Sequence, residues 1–495
     1  MSAITYIDGY KLDHRRQYPE GTEYVYSNWT PRASRNPEIK EVVFVGLQYF
    51  LKHYLEEEFG QFFAQDVEVA TARYQRRIDG YLGPNEIGTV HIRALHDLGY
   101  LPLRFKALPE GTSVPLRVPM LTVENTHPDF AWLVNYLETI MSAALWLPST
   151  SATHAKRLRG VLLDWAEKTG SPVEFVDWQG HDFSFRGMAG LEAARMSGLG
   201  HLTQFTGTDT IPAIEFAEDY YPGSPEDYLI GGSVAATEHS VMCAGGEDDE
   251  METYKRLIDL YPAGILSVVS DTWDLWKVLT ETVPALKDEI LARDGKLVIR
   301  PDSGDPADIV CGTGVDYSGS PYKVTPEEKG VVELLWETFG GTITETGHKL
   351  LDSHIGVIYG DAINYDRMQD ILSRLADKGF ASANMVFGVG SFTYQYNTRD
   401  TFGFAMKATN VVINGVEKPI FKKPVTDNGD KNSLRGRIAV VQSPDHRIYA
   451  VDNLGDIDPG RRTDIERADL LTTVWEDGRL LVEHSFKEVR ERAQA

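Results

Sequence analysis

A chain of 495 residues, 42% hydrophobic and 11% aromatic, is too long for one small domain and has the apolar content for a large core. Its 49 Lys+Arg against 73 Asp+Glu leave a formal charge of −24, which argues against nonspecific binding to nucleic acid or to anionic membranes. Any anionic ligand must then be held by a local basic pocket.

The N-terminal stretch MSAITYIDGYKLDHRRQYPE lacks an apolar signal core and is charged from Asp8 onward. The only cysteines, Cys243 and Cys311, have no metal-ligand spacing, and their low number fits a reducing compartment. A cytoplasmic protein is expected. Residues 40–59 show helical spacing through Val43, Phe44, Leu47, Phe50, Leu51 and Tyr54. Residues 103–125 read as strands about a Pro-Glu-Gly turn. The apolar run 131–148 contains Asn135 and Glu138 and reads as a buried helix rather than a membrane span. Ser151 is placed to cap a helix running to Gly170.

From about 173 to 390 short apolar strands alternate with helical segments, the signature of parallel β/α units. The expected strands are 173–176, 202–205, 265–269, 297–299, 355–359 and 384–387, with helical patterns at 247–261, 326–339 and 363–378. After 400 short strands and turns return. Polar residues follow nearly every expected strand, as on the C-terminal face of a β/α barrel; a doubly wound sheet would gather them at one switch point. The fold expected is α/β, a central irregular β/α barrel with an antiparallel-sheet α+β domain built from the N- and C-terminal regions. The expected divisions are 1–150, 151–390 and 391–495.

The strand-end motifs carry the chemistry. In KLVIRPDSGDP (296–306), Arg300 offers a planar fork to a phosphate or an aromatic face, and Asp302 can accept from sugar hydroxyls. The plainer alternative is an Arg–Asp pair that closes a loop. GHDFSFRG (180–187) sets Phe183 to stack on a planar substrate and Arg186 to neutralise an anion, unless its phenylalanines are simply core. In TGTDT, Asp209 either accepts from a substrate amide or caps the helix starting near Ile211. EHS offers His239 as base, nucleophile or phosphate acceptor, with Glu238 beside it and Asp271 near in space. Gly388 and Gly390 would let backbone N–H groups approach a phosphate, with Arg399, Lys407, Lys422 and Lys423 adding positive charge. No zinc-protease helix, Walker lysine loop or serine elbow competes.

In order, DGYKLDHRRQYP (8–19), VVFVGLQYFLKHYL (42–55), HDFSFRG, FTGTDT, EHS, SVVSD, IRPDSG, YGDAIN, TRD and SFKEVR (485–490) resemble the nicotinamide phosphoribosyltransferases over almost the whole chain. The resemblance implies the barrel of the type II phosphoribosyltransferases. It implies transfer of a phosphoribosyl group from 5-phosphoribosyl-1-diphosphate to nicotinamide, with Mg²⁺ and with ATP as a facultative co-substrate. No protein metal ligand, nucleic acid or membrane is implied. Family members are homodimers with shared active sites, so Phe183 would stack on one face of the pyridine ring and Tyr10 of the partner subunit would cover the other. Asp209 would accept from the carboxamide, Arg186 and Arg300 would hold phosphate, and Asp302 would bind ribose hydroxyls. Ser267, Gly360, Asp361, Gly390 and Ser391 would line the substrate pocket, with Asp8, Arg32, Arg399 and Lys407 toward the diphosphate. His239 matches a histidine phosphorylated by ATP, assisted by Glu238 and Asp271.

The chain departs from the family at Ser391, where glycine is usual, at Ala362 in place of a common glycine, and at Thr237 in place of alanine. A nicotinate phosphoribosyltransferase is the alternative, disfavoured because the Asp209 carboxylate would repel an acid. An aldolase-type lyase would need a lysine at a central strand end, and none is seen.

Overall fold

The computed structural model describes residues 3–223, 228–314, 324–360, 362–423 and 433–495. Leu103–Ala107 buries Leu103, Phe105 and Ala107 in strict alternation, which turns one face of a strand toward a core. It pairs antiparallel with Leu121–Asn125 and Thr472–Glu476 in a seven-stranded sheet. The spatial order is Val416–Pro419, Ala405–Ile413, Thr22–Thr30, Leu121–Asn125, Leu103–Ala107, Thr472–Glu476, Arg479–Leu480. Strands from both ends of the chain therefore share this sheet, as expected. Trp29 stacks on Phe404 at 4.5 Å, and Phe105 meets Trp475 edge-on at 5.8 Å. The unit so formed is Met1–Thr153, Glu215–Tyr228 and Asn397–Ala495.

The second unit, His154–Ile214 and Leu229–Tyr396, is built on parallel strands. They are β1 (Gly180–Asp182), β2 (Gly207–Thr208), β3 (Ala235–Ala236), β4 (Ala263–Val269), β5 (Asp294–Arg300), β6 (Ile355–Tyr359) and β7 (Met385–Val389). Their order is β2-β1-β7-β6-β5-β4-β3. Every residue of β6 is buried, as in a parallel sheet covered on both faces. Gly207 also bridges Gly232, whose carbonyl accepts from Thr208 N–H at 3.0 Å. The segment entering β3 thereby meets β2, and the sheet curls round on itself as the expected irregular barrel.

Four of the six expected strands are β4 to β7. The other two are corrected. Val173–Phe175 is a 3₁₀ turn leading into the helix Val176–Gln179, and Leu202 ends the helix Leu191–Leu202. A four-residue apolar run has no period that separates a strand from a buried helical turn. The true strands, β1 and β2, lie a few residues later in GHD and GT. Two helix expectations also change. Glu41–Val43 is a strand, and the helix begins at Leu47 after Gly46, whose φ of 104° breaks the periodicity. Ser151 is no cap: it is buried inside the 32-residue helix Glu138–Thr169, which continues through Pro148. Among the described residues no single helix is long and apolar enough to cross a membrane.

Candidate active site

Strand ends of the curled sheet surround a cavity of ≈ 900 Å³. At the end of β1, Asp182 Oδ1 accepts from Ser184 N–H at 2.9 Å, and this turn fixes the chain about Phe183. The Phe183 ring lies where Gly360 and Gly388 have no side chains. A Cβ on Gly388 would stand 2.4 Å from the ring and 2.6 Å from Gly360 Cα. Gly388 thus makes room for an aromatic ring, and it is not among the residues lining the cavity. Gly390 does open on the cavity, with nothing within 4 Å of a Cβ position. Ser391 packs its side chain toward Gly187.

β5 delivers Arg300, whose Nη2 donates to Thr237 O at 2.8 Å while its buried Nε has no protein partner. Asp302 follows, its backbone N–H donating to Asp271 Oδ2 at 3.0 Å; Ser303 Oγ donates to the same oxygen at 2.6 Å. Asp271 Oδ1, otherwise unpartnered, stands 3.4 Å from His239 Nε2. Asp271, not Glu238, therefore meets the histidine ring, and Glu238 accepts from Ser240. Thr237 has its own use: its Oγ1 accepts from Val269 N–H at 3.0 Å and extends the pairing between β3 and β4. Ala362, the other departure, has φ +51°, in the region glycine favours.

Asp209 follows β2, just before the helix Ile211–Tyr220, and lines both the ≈ 900 Å³ cavity and a smaller one. His181 Nε2 lies 2.8 Å from Oδ1, and Ser233 Oγ donates to Oδ1 at 2.6 Å. Burial raises the Asp209 carboxyl, but the His181 hydrogen bond and charge, Ser233 and Arg300 together hold it below the ordinary carboxylate range. Of the two sequence readings for this residue, the geometry fits an acceptor facing the pocket.

Phe183, Arg186, Asp209, Glu238, His239, Arg300, Asp302, Gly360, Gly390 and Ser391 all line the ≈ 900 Å³ cavity. Phe183, Asp209 and Arg300 also line a second cavity of ≈ 410 Å³ that runs along the barrel interior. Ser267 sits there, on β4, and not in the larger cavity. Asp361 lies outside the described residues. Asp8, Tyr10, Arg32, Arg399 and Lys407 belong to the other unit. There Asp8 Oδ2 accepts from Thr139 at 2.8 Å, Arg32 Nε donates to Gly403 O at 2.9 Å, and Arg399 pairs with Asp400 at 3.1 Å. Tyr10 is 65% exposed. Burial lowers the Lys407 amine, opposed by Glu138 and reinforced by Arg32, Lys422 and Arg399, so these cations share one field.

Sequence reasoning gave no role to His181, Ser233, Asp182 or Lys296. His181 and Phe183 lie two apart, and the period of a strand placed at 180–182 puts both on one face. Lys296 lines the smaller cavity on the first half of β5, away from the strand ends, and burial lowers its amine.

The nicotinate phosphoribosyltransferase (NAPRTase) family matches residues 178–467, and the nicotinamide phosphoribosyltransferase N-terminal domain matches residues 2–103. A nicotinamide phosphoribosyltransferase of Acinetobacter baylyi is 50% identical over 99% of this chain and 97% of its own length. Those of Mycoplasma pneumoniae and Xanthomonas campestris are 36% identical over 87% of this chain (94% of theirs) and 32% over 99% (97% of theirs). The fold is similar to that of Pyrococcus furiosus nicotinate-nucleotide pyrophosphorylase, with TM-score 0.58 at 17% identity over 99% of this chain and 94% of that one. Human nicotinic acid phosphoribosyltransferase gives TM-score 0.53 at 16% identity over 98% and 92%. The chain belongs to the nicotinate phosphoribosyltransferase (NAPRTase) family, among the members that carry the nicotinamide phosphoribosyltransferase N-terminal domain.

Proposed function

We propose that this chain is a nicotinamide phosphoribosyltransferase that joins nicotinamide to 5-phosphoribosyl-1-diphosphate, giving nicotinamide mononucleotide and diphosphate for NAD salvage. The observation that carries the choice of amide over acid is the Asp209 carboxylate, which His181 and Ser233 meet at Oδ1 and which lines both cavities together with Phe183. The names of the bacterial relatives support the same choice.

The pyridine ring stacks on Phe183, and its carboxamide N–H donates to Asp209. Arg300 and Arg186 hold phosphate, Asp302 accepts from ribose hydroxyls, and Gly360, Gly390 and Ser391 shape the phosphoribosyl pocket. The ring nitrogen lone pair forms the bond to ribose C1 as the C1–O bond breaks and its electron pair leaves with diphosphate. The transition state is oxocarbenium-like, so alignment and charge stabilisation do the catalysis, and no protein nucleophile or base is needed. A Mg²⁺ ion would be carried on the diphosphate with water, with no metal ligand asked of the protein. When bound, it offsets the charge that builds on the leaving group.

In a cytoplasmic homodimer, Tyr10 of the partner subunit covers the other ring face, and Asp8, Arg32, Arg399 and Lys407 serve the diphosphate end. ATP acts at His239: an N–P bond forms as the bond to ADP breaks, with Asp271 steadying Nε2. The test is purified protein with 5-phosphoribosyl-1-diphosphate, Mg²⁺ and either nicotinamide or nicotinate, followed for mononucleotide. Faster turnover of nicotinamide is expected; no product from folded protein overturns the assignment.

A further inference from the structure

We propose that His181 and Ser233 set the choice between the neutral amide and its acid by holding Asp209 as a fixed, charged acceptor. This rests on the function proposed above and extends it to two residues that do not themselves meet the reacting atoms. They are positioning residues.

An ionised carboxylate only accepts, so the proton between His181 and Asp209 belongs to Nε2. His181 and Ser233 both donate to Oδ1, at 2.8 and 2.6 Å, and stand 3.4 Å from each other. With both donors on Oδ1, Oδ2 is left to accept the substrate's N–H. The His181 ring is itself fixed. It is 8% exposed, its Nδ1 side lies against Gly207, where a Cβ would come within 2.7 Å, and its centroid is 4.8 Å from that of Phe183.

Selectivity follows from what the two donors forbid. A carboxyl free to take a proton or to rotate could donate to a nicotinate carboxylate, and discrimination would fall. Two donors on Oδ1 bond more strongly to a carboxylate than to a neutral acid, so protonation at the free Oδ2 weakens both hydrogen bonds, and rotation forfeits both. Asp209 therefore presents charge to whatever stacks on Phe183.

The experiment measures KM and kcat for nicotinamide and nicotinate on wild type, His181→Ala, His181→Gln and Ser233→Ala, with thermal midpoints as the folding control. His181→Ala should raise the nicotinamide KM about tenfold, the worth of one hydrogen bond to a charged group, with little change in kcat. The nicotinate-to-nicotinamide ratio of kcat/KM should rise in both alanine variants. His181→Gln, whose amide can still donate to Oδ1, should restore the ratio even though it loses the ring against Phe183. If the two substrates weaken equally in the alanine variants, or Gln behaves as Ala, His181 acts by packing and the inference falls. Should His181→Ala not fold, an unmoved ratio in Ser233→Ala overturns it equally. A wild type that makes no mononucleotide sinks the proposed function as well; a wild type that turns over nicotinamide, with unmoved ratios in the variants, sinks this inference alone.

Discussion

In the proposed site the choice between amide and acid rests on one side chain, Asp209. At ~4 Å and an effective dielectric near ~20, two like charges repel by about 4 kcal/mol before solvent screening, which bounds discrimination against nicotinate at roughly a thousandfold. Asp209→Asn should therefore lower kcat/KM for nicotinamide and raise the nicotinate-to-nicotinamide ratio, measured for both substrates at one pH. An unchanged ratio would remove Asp209 from substrate choice. Ala362 decides a smaller matter. A Cβ in the left-handed region costs about 1–2 kcal/mol, whereas glycine loses about 0.4–1 kcal/mol through the unfolded chain. Ala362→Gly is expected to be neutral or stabilising by up to about 1.5 kcal/mol, read from denaturant midpoints, and a clear loss would show that φ +51° is not strained here. Arg300, Asp302 and Asp209, which the structure brings to one cavity, were legible as candidates because charged groups after apolar runs have few uses other than a ligand or a cap. His181 was not, because a strand assigned to 173–176 left it in an apparent loop, where side-chain alternation has no meaning.

At the scale of elements, the same displaced strands explain why the expected face survived a wrong assignment. Moving β1 and β2 a few residues along the chain still leaves Phe183 and Asp209 at C-terminal ends, since the polar residues mark the ends more sharply than the apolar runs mark the strands. Gly388 was legible as special but not as to why: sequence shows a missing side chain, and only β7 lying beside β1 shows that the Phe183 ring fills the space. Gly388→Ala should drive the ring from its place, destabilising the barrel by about 1–3 kcal/mol and raising the nicotinamide KM. A variant of wild-type stability and KM would mean that the ring shifts freely. Asp271 ties the loops after β4 and β5 together and stands against His239, so His239→Ala is expected to make rates with and without ATP converge. Retained stimulation by ATP would move the phosphoryl acceptor elsewhere.

The whole molecule adds what no local pattern contains. Residues 215–228 cluster with the antiparallel unit, where the Tyr221 hydroxyl donates to the buried Glu110 carboxylate at 2.8 Å and Gln48 Nε2 donates to Tyr220 O at 2.6 Å. Periodicity shows that a helix is amphipathic and not which core receives it, so such an excursion is invisible in sequence. Tyr10 raises the corresponding question at the level of assembly. A large aromatic side chain left 65% exposed is suited to being covered by something outside its own chain. In the proposed homodimer each site combines Tyr10 of the partner subunit with the Phe183 and Asp302 of the other chain. Tyr10→Ala and Asp302→Ala dimers should each be severely impaired, because one lacks half the aromatic sandwich and the other its ribose acceptor. Mixing them under conditions of subunit exchange makes roughly half the dimers hybrids, each with one intact site, so the recovered activity should approach roughly a quarter of wild type. Exchange can be followed independently by native mass spectrometry of tagged subunits. No recovery in demonstrated hybrids would put Tyr10 and Asp302 in one subunit's site, or Tyr10 outside the site altogether.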